Sequence, residues 1–230
     1  MRRRPAALAG LALVATLLTG CGTEDPGAAE VTGPASAQRA PETGTTGNVT
    51  VTATSVVVGD PRAPERLHVY QDLNCPHCKQ LHGEMGGDLT TWAQGPDVAA
   101  EFTVVDYLGP RTTHAFSTRG ANLLALVADV DPEAWPAVQQ ALLDMQPTST
   151  TAEVTDEELV AAARGAGADL DEADVAAVEQ LAYADWVAAA TAEAAAAGVT
   201  YIPQVWVDDA LVEGSDHGET AGLVRQAVTD

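Results

Sequence analysis

Cys75 and Cys78 lie three positions apart in the stretch NCPHCK, residues 74–79. Two cysteines at this spacing can cycle between a dithiol and a disulfide, bind a metal ion, or form an inert structural disulfide. A disulfide at this spacing closes a very small loop, and such a loop stabilises a fold little through chain entropy. The spacing therefore favours redox chemistry over a structural role.

A zinc site is the remaining alternative for the cysteine pair. Structural zinc sites usually have four protein ligands, and two cysteines supply only half of them. His77, His82 and His68 would have to complete the set. Because such a site depends on these additional ligands, we expect no metal. We also expect no cofactor.

The environment predicted for Cys75 would make it the reactive thiol, because the thiolate is the nucleophile in disulfide exchange. Cys75 would lie at a helix N-terminus, where free N–H groups and the helix dipole stabilise negative charge. Cys78, one turn further, would be more buried and would resolve a mixed disulfide. We expect Pro76 to restrain the turn. We expect His77 to add a donor or positive charge near the sulfur; a surface position without effect is the alternative.

The elements before and after the motif follow a strand–strand–helix–strand order. β-Branched residues predict a strand over 49–59, and RLHVYQDL predicts a second strand over 66–73. Apolar residues at helical spacing predict a helix from Cys75 to about residue 94. A third strand is predicted over 98–108. The cysteine pair would therefore lie where a strand passes directly into a helix.

The second half of the chain begins with helices. Helical periodicity and capping signals, including Thr155 with Glu158, continue from 112 to 197. The stretch YIPQVWVDDALVEG then predicts strand, turn and strand, and the last residues predict a helix. A CxxC motif between strand and helix, near a βαβ pattern, is typical of a thioredoxin-like α/β fold. We expect a central mixed sheet flanked by helices, built from residues 49–111 and 198–230, with an all-helical insertion over 112–197.

The N-terminus predicts a secretory signal over residues 1–20. Three arginines precede an apolar run from about 6 to 18, which is shorter than the roughly 20 residues that span a bilayer. The run ends in LLTGC, which resembles the lipobox of bacterial lipoproteins and implies cleavage before Cys21 and lipid modification of it. An ordinary signal peptide with an incidental cysteine is the alternative. Residues 21–48, rich in Gly, Pro, Thr and Ala, predict a flexible tether.

A lipid on Cys21 would anchor the protein to the outer face of the bacterial cytoplasmic membrane. The chain has three cysteines, so this assignment leaves Cys75 and Cys78 as a single pair in a compartment where disulfides persist. The formal net charge is −22. Such a charge repels phosphate groups, so we expect no nucleic-acid partner. It is also compatible with basic client segments, or with a general compositional bias.

The sequence resembles the DsbA family of thiol-disulfide oxidoreductases, in a lipoprotein form. CPHC is the pattern of that family's oxidases, and QDLNCPHCK has the family's acid, Asp72, three residues before Cys75. GVTYIPQVWVDD, residues 198–209, resembles the loop in which a cis-proline faces the CxxC motif. The resemblance covers about residues 49–230.

The resemblance implies roles for two residues of that loop. Pro203 would be the cis-proline, and the backbone of Ile202 would pair with an extended client chain. An ordinary turn proline is the alternative for Pro203. One position departs from the pattern: thioredoxin-like enzymes often place a buried acid six residues before the first cysteine, where this chain has Val69. The proton acceptor for Cys78 is therefore open, with water, Asp72 and Lys79 as candidates.

The function expected from these features is oxidation of thiols in exported client proteins. Stabilising the Cys75 thiolate stabilises the reduced form, which makes the disulfide a stronger oxidant. The resemblance implies a membrane partner that reoxidises the pair. We expect a monomer. Two alternatives are a reductase or isomerase of the same fold, and a non-catalytic binding or assembly lipoprotein.

Overall fold

The computed structural model of the protein describes residues 37–228. The predicted signal sequence, the lipobox with Cys21 and residues 22–36 of the predicted tether lie outside the described residues. Within residues 37–228, no helix is long and apolar enough to cross a membrane.

A mixed sheet of seven strands forms the centre of the described domain, in the order β1-β2-β3-β5-β4-β6-β7. The central strands β4 and β5 run parallel, and every other neighbouring pair among these seven is antiparallel. The strands are β1 Gly44–Thr46, β2 Val49–Val51, β3 Val56–Val58, β4 Glu65–Gln71, β5 Val98–Val104, β6 Gln204–Val207 and β7 Ala210–Val212.

Seven α-helices lie within residues 37–228, and five of them are consecutive in the chain between β5 and β6. They are α1 Pro76–Gln94, α2 Phe116–Val130, α3 Trp135–Asp144, α4 Asp156–Gly165, α5 Glu172–Glu179, α6 Ala184–Ala196 and α7 His217–Ala227. Helix α1 packs against α7, α3 and β5, while α6 packs against β5.

Strand β4 positions the cysteine pair because its two faces differ. Leu67, Val69 and Gln71 are buried, whereas the alternating residues His68 and Tyr70 are only half-buried, as the two-residue period of a strand requires. Leu67 and Val69 belong to the main core, together with apolar residues of α1. The chain leaves the sheet after Gln71 and enters α1 five residues later, at Pro76, so the strand end fixes where the helix begins.

Helix α2 is the centre of the helical insertion. It is buried along most of its length and packs against α3, α4, α5 and α6. The capping box predicted at Thr155 and Glu158 is present at the start of α4, and a second one joins Asp171 and Asp174 at the start of α5. Reciprocal side-chain and backbone hydrogen bonds at these two ends satisfy N–H groups that the helix itself leaves without partners.

Two predictions about residues before β4 need correction. The single strand predicted over 49–59 is a pair of strands, because Thr52 and Ser55 form a tight turn in which Thr52 N donates to Ser55 O at 2.9 Å. The tether was predicted to end at residue 48, but its described residues, 37–48, are part of the folded domain. Glu42 N donates to Asp129 at 2.8 Å, and β1 pairs with β2. Backbone pairing orders this segment, and its composition gives no sign of that.

Candidate active site around Cys75 and Cys78

Cys75 is the N-cap residue of α1, and Pro76 is the first residue of the helix. Pro76 fits this position because its missing N–H would have no partner inside the helix. The loop before the helix is closed by a hydrogen bond from Cys75 N to Asp72 O of 3.1 Å. Cys75 is 4% exposed and Cys78 is 2% exposed. The sequence thus puts both sulfurs at the first turn of the helix, in a largely water-free setting.

The surroundings of Cys75 favour its thiolate. The thiol of Cys78 donates a hydrogen bond to it, and the backbone N–H groups of Cys78 and His77 add to the effect. Together they lower the pKa of Cys75 to about 7, against burial and the charge of Asp72. A thiol with this pKa is half ionised at neutral pH and is therefore both a nucleophile and a good leaving group.

Cys78 has the opposite character. Burial, followed by the hydrogen bond and charge of Cys75, raises the pKa of Cys78 well above its ordinary value of 9.0. The backbone N–H of Asp72 donates to Cys78 Sγ at 3.5 Å and offsets only part of this. At neutral pH Cys78 therefore holds its proton, and the two sulfurs of the pair are chemically distinct.

The loop predicted to face the motif lies against Cys75. The peptide bond between Ile202 and Pro203 is cis, and Cys75 Sγ lies 3.9 Å from the carbonyl oxygen of Ile202. Strand β6 begins directly after this loop, at Gln204, and pairs with β4. Both sides of the site are thus attached to neighbouring strands of the sheet.

A groove of about 210 Å³ lies beside this loop. His77, Ile202 and Pro203 line it on the side of the motif. Tyr201, which is 44% exposed, and Leu211, which is 41% exposed, add apolar surface. A partly apolar groove beside the cysteine motif can hold an extended peptide segment.

His77 has a partner that the sequence did not reveal. His77 Nδ1 lies 3.0 Å from His217 Nε2, within hydrogen-bonding distance. His217 is the first residue of α7, and no sequence pattern gave it a role. The hydrogen bond orients the His77 ring, so that the position of this residue beside the motif depends on α7.

Two of the three proton acceptors considered for Cys78 are engaged elsewhere. The Asp72 carboxylate accepts hydrogen bonds from Ser117 Oγ and from three backbone N–H groups, and burial raises its pKa. These bonds tie the loop before α1 to the start of the helical insertion. Lys79 Nζ donates to the carbonyl of Asp144 at 2.9 Å. Val69 remains an apolar side chain on the buried face of β4.

Gln146 is a second residue that sequence reasoning missed. Its Nε2 donates to the carbonyl of Leu73 at 2.6 Å and to that of Cys75 at 3.0 Å. Gln146 follows α3, so the helical insertion holds the loop that carries the reactive cysteine. No local pattern predicts this contact, because the partners lie about 70 positions apart in the chain.

The structure brings together Cys75, Cys78, Ile202 and Pro203, with His77 at the edge of the groove. It does not assemble the histidines of the zinc alternative. The Nε2 atom of His68 lies 2.9 Å from Thr103 Oγ1. The His68 ring stacks on Tyr70. Within residues 37–228, no group of three or more His, Cys, Asp or Glu side chains has an arrangement suited to a metal ion.

Three solved structures illustrate what this fold is similar to. BdbD from Bacillus subtilis in its oxidised form is 18% identical, with a TM-score of 0.66, over 82% of this chain and 100% of that one. MdbA from Corynebacterium diphtheriae, a thiol-disulfide oxidoreductase, is 19% identical, with a TM-score of 0.65, over 80% and 95%. Reduced DsbA from Mycobacterium tuberculosis is 23% identical, with a TM-score of 0.61, over 77% and 93%.

These similarities confirm the predicted thioredoxin-like fold with its helical insertion. No curated protein matches the chain. A family model described as thioredoxin matches residues 51–223, which is most of the chain and includes the cysteine pair, the helical insertion and the proline loop. The chain therefore belongs to the thioredoxin family.

Proposed function

We propose that the protein is an extracytoplasmic thiol-disulfide oxidoreductase that oxidises the thiols of exported client proteins through Cys75 and Cys78. The observation that carries the proposal is the asymmetry of the pair. Cys75 has a pKa of about 7 and faces the Ile202–Pro203 loop, while Cys78 is buried with a raised pKa. A structural disulfide needs no such difference between its two sulfurs.

The reaction begins from the Cys75–Cys78 disulfide. A client thiolate attacks Cys75 Sγ, the bond to Cys78 breaks, and Cys78 leaves as a thiolate that takes up a proton. A second client thiolate then attacks the client sulfur of the mixed disulfide and releases Cys75 as a thiolate. The client loses two electrons and gains a disulfide, and the cysteine pair gains two electrons.

The acidity of Cys75 supports its role in the second step, in which Cys75 is the leaving group. A sulfur with a low pKa leaves more readily from a disulfide than one with an ordinary pKa. The groove with Tyr201 and Leu211 gives an extended client segment a surface to bind. The backbone of Ile202 would pair with that segment by strand addition. Client binding would thus bring the incoming sulfur to Cys75.

The cellular setting is part of the proposal. The signal sequence and lipobox predict that Cys21 carries a lipid on the outer face of the cytoplasmic membrane. The predicted tether begins at residue 21, and the described part of the chain begins at residue 37. A membrane partner would reoxidise the pair after each turnover, and the protein would act as a monomer.

One observation favours a second candidate, a disulfide reductase or isomerase of the same fold. The attacking cysteine of thioredoxin, a reductant, has a pKa of about 7, whereas that of the strong oxidant DsbA has a pKa of about 3.5. The pKa of about 7 at Cys75 is closer to the reductant. The CPHC sequence and the predicted location outside the cytoplasm favour the oxidase.

Oxidative refolding of a reduced secreted ribonuclease tests the proposal. The oxidised protein should restore ribonuclease activity in an oxygen-free buffer, with one client disulfide formed for each Cys75–Cys78 pair reduced. The Cys75→Ser variant should restore none. A Cys21→Ser variant, which keeps the pair, should refold the client equally well but leave the membrane fraction. Equal refolding by wild type and Cys75→Ser would contradict the enzyme proposal and favour a non-catalytic lipoprotein.

A further inference from the structure

A small cavity is lined in part by Cys78. Its volume is about 10 Å³, at the lower limit of what a single water molecule needs. Most of its lining is apolar and comes from β4, β5, α1 and the proline loop. Gln71 and His82 are the polar residues that line it together with Cys78.

Gln71, which lines this cavity, has an unsatisfied donor. The side chain lies on the buried face of β4 and is 1% exposed. Its amide nitrogen Nε2 has no hydrogen-bond partner among the described residues. Buried polar groups in proteins are normally satisfied, and a buried water molecule often supplies the missing bond. A water molecule in this cavity could accept the Nε2 hydrogen of Gln71.

His82 connects the cavity to a larger pocket. It follows Cys78 by four positions on α1, so both side chains lie on the same face of the helix. Besides the small cavity, His82 lines a pocket of about 410 Å³ between α1 and α3. That pocket is also lined by the exposed residues Thr90 and Glu133, so it reaches the protein surface.

The charge state of His82 suits a proton acceptor. Burial lowers its pKa, which leaves the imidazole largely neutral near pH 7 with one nitrogen able to accept a proton. The groups facing His82 from α3 are Gln140, through a hydrogen bond, and Asp144, through its charge. Both favour the protonated form and offset part of the effect of burial. Glu133 is the acidic residue that lines the pocket itself.

We propose that Gln71 holds a water molecule beside Cys78 Sγ, and that this water passes the proton of Cys78 to His82, which exchanges it with solvent through the larger pocket. The inference rests on the proposed function, because it concerns the protonation of Cys78 during disulfide exchange. It assigns His82 and Gln71 as positioning residues of the resolving step. It also answers how a chain with Val69 in place of a buried acid ionises its second cysteine.

The step balances in both directions. When Cys78 resolves a mixed disulfide, its proton moves to the water, a proton of the water moves to His82, and the Cys78 thiolate attacks Cys75 Sγ. The Cys75–Cys78 bond forms, and the sulfur previously bound to Cys75 leaves as a thiolate. When a client attacks the oxidised pair, the same path returns a proton from solvent to the departing Cys78.

Rapid-quench mass spectrometry with glutathione disulfide separates this step from the one before it. The reduced protein first forms a mixed disulfide between Cys75 and glutathione, and Cys78 then resolves it. We expect His82→Gln, which keeps a polar side chain but cannot take up the proton, to slow resolution at pH 7 by about 100-fold. The rate in that variant should then rise tenfold per pH unit from pH 5 to 9. Formation of the mixed disulfide should not change.

Gln71→Met removes the amide but keeps the length of the side chain, and it should slow resolution in the same direction. His68→Gln is the matched control, because His68, like His82, is a half-buried histidine with a lowered pKa but does not line the cavity. It should leave both steps unchanged. An unaltered rate of mixed-disulfide formation shows that each variant has an intact site.

The relay is overturned if either His82→Gln or Gln71→Met resolves the mixed disulfide at the wild-type rate with the wild-type pH profile. That result would leave the proposed function untouched, because wild type would still form and resolve the mixed disulfide. Failure of wild type to form a mixed disulfide at Cys75 would instead contradict the proposed function, and the relay with it.

Discussion

Replacing Cys78 by alanine should raise the pKa of Cys75. The largest cause of the low pKa of Cys75 is the hydrogen bond donated by the Cys78 side chain. Alanine removes this donor and keeps the backbone N–H groups. Serine at the same position keeps a hydroxyl donor of similar size, so Cys78→Ser is the matched control. The two variants have the same single cysteine in the motif and differ only in the donor.

The size of the change in reactivity follows from the two limiting pKa values of Cys75, with and without the Cys78 donor. A thiol with a pKa of about 7 is half ionised at pH 7, and a full return to the ordinary value of 9.0 would leave about 1% thiolate. The thiolate of higher pKa is intrinsically more nucleophilic, by about 6- to 10-fold for this difference. The net fall in alkylation rate at pH 7 is therefore at most about 5- to 8-fold. Above about pH 8 the order reverses, because the more nucleophilic thiolate of the alanine variant then makes up a sufficient fraction of the thiol.

The measurement is the rate of iodoacetamide alkylation of the peptide carrying Cys75, followed by mass spectrometry from pH 5 to 10. The alanine variant should show a pH profile displaced toward higher pH, with its curve crossing that of the serine variant. In the serine variant the pKa of Cys75 should stay near 7. Coincident profiles for the two variants would refute the assignment of the low pKa to the Cys78 donor.

Three further predictions concern the elements that hold the site. Gly214→Ala should destabilise the protein by about 1–3 kcal/mol in urea unfolding, because the new Cβ would lie 2.6 Å from a backbone nitrogen of α7. The control is Gly222→Ala within α7, where the new Cβ meets nothing within 4 Å. This variant should stabilise the protein by about 0.5–1 kcal/mol. Gln146→Ala should cost about 1–2 kcal/mol and speed amide hydrogen exchange in the loop before α1, and unchanged exchange there would contradict the proposed anchoring. His217→Ala should change the equilibrium constant between the Cys75–Cys78 pair and glutathione when His77 is present, but not in a His77→Ala background. Equal effects in both backgrounds would show that the two rings are not coupled.

Much of the fold was predictable because its signals are local. The β-branched runs, the period of α1 and the capping box at Thr155 each depend on residues within a few positions of one another. The cysteine pair was predictable for the same reason, since CPHC and the strand before it are contiguous. Pro203 was found only through a family resemblance, because its relation to Cys75 spans more than 120 positions.

The features that the sequence could not give depend on tertiary contacts. The alanine-rich stretch from 171 to 198 reads as one helix, but it is two, with Leu181 at φ +50° between them. Buried Asn122 stabilises this break by accepting a hydrogen bond from Tyr183 N at 2.8 Å. The contacts of Gln146 and His217 with the site likewise join residues far apart in the chain. No pattern in a single sequence encodes such pairs.

The direction of electron flow is set by the redox equilibrium between the Cys75–Cys78 pair and glutathione, which thiol alkylation and mass spectrometry can follow. We expect reversible two-electron exchange with a midpoint near or above about −150 mV, on the oxidising side of the disulfide isomerases. A midpoint near about −250 mV would contradict the oxidase and favour a reductase. A pair that never equilibrates with glutathione would contradict redox function altogether.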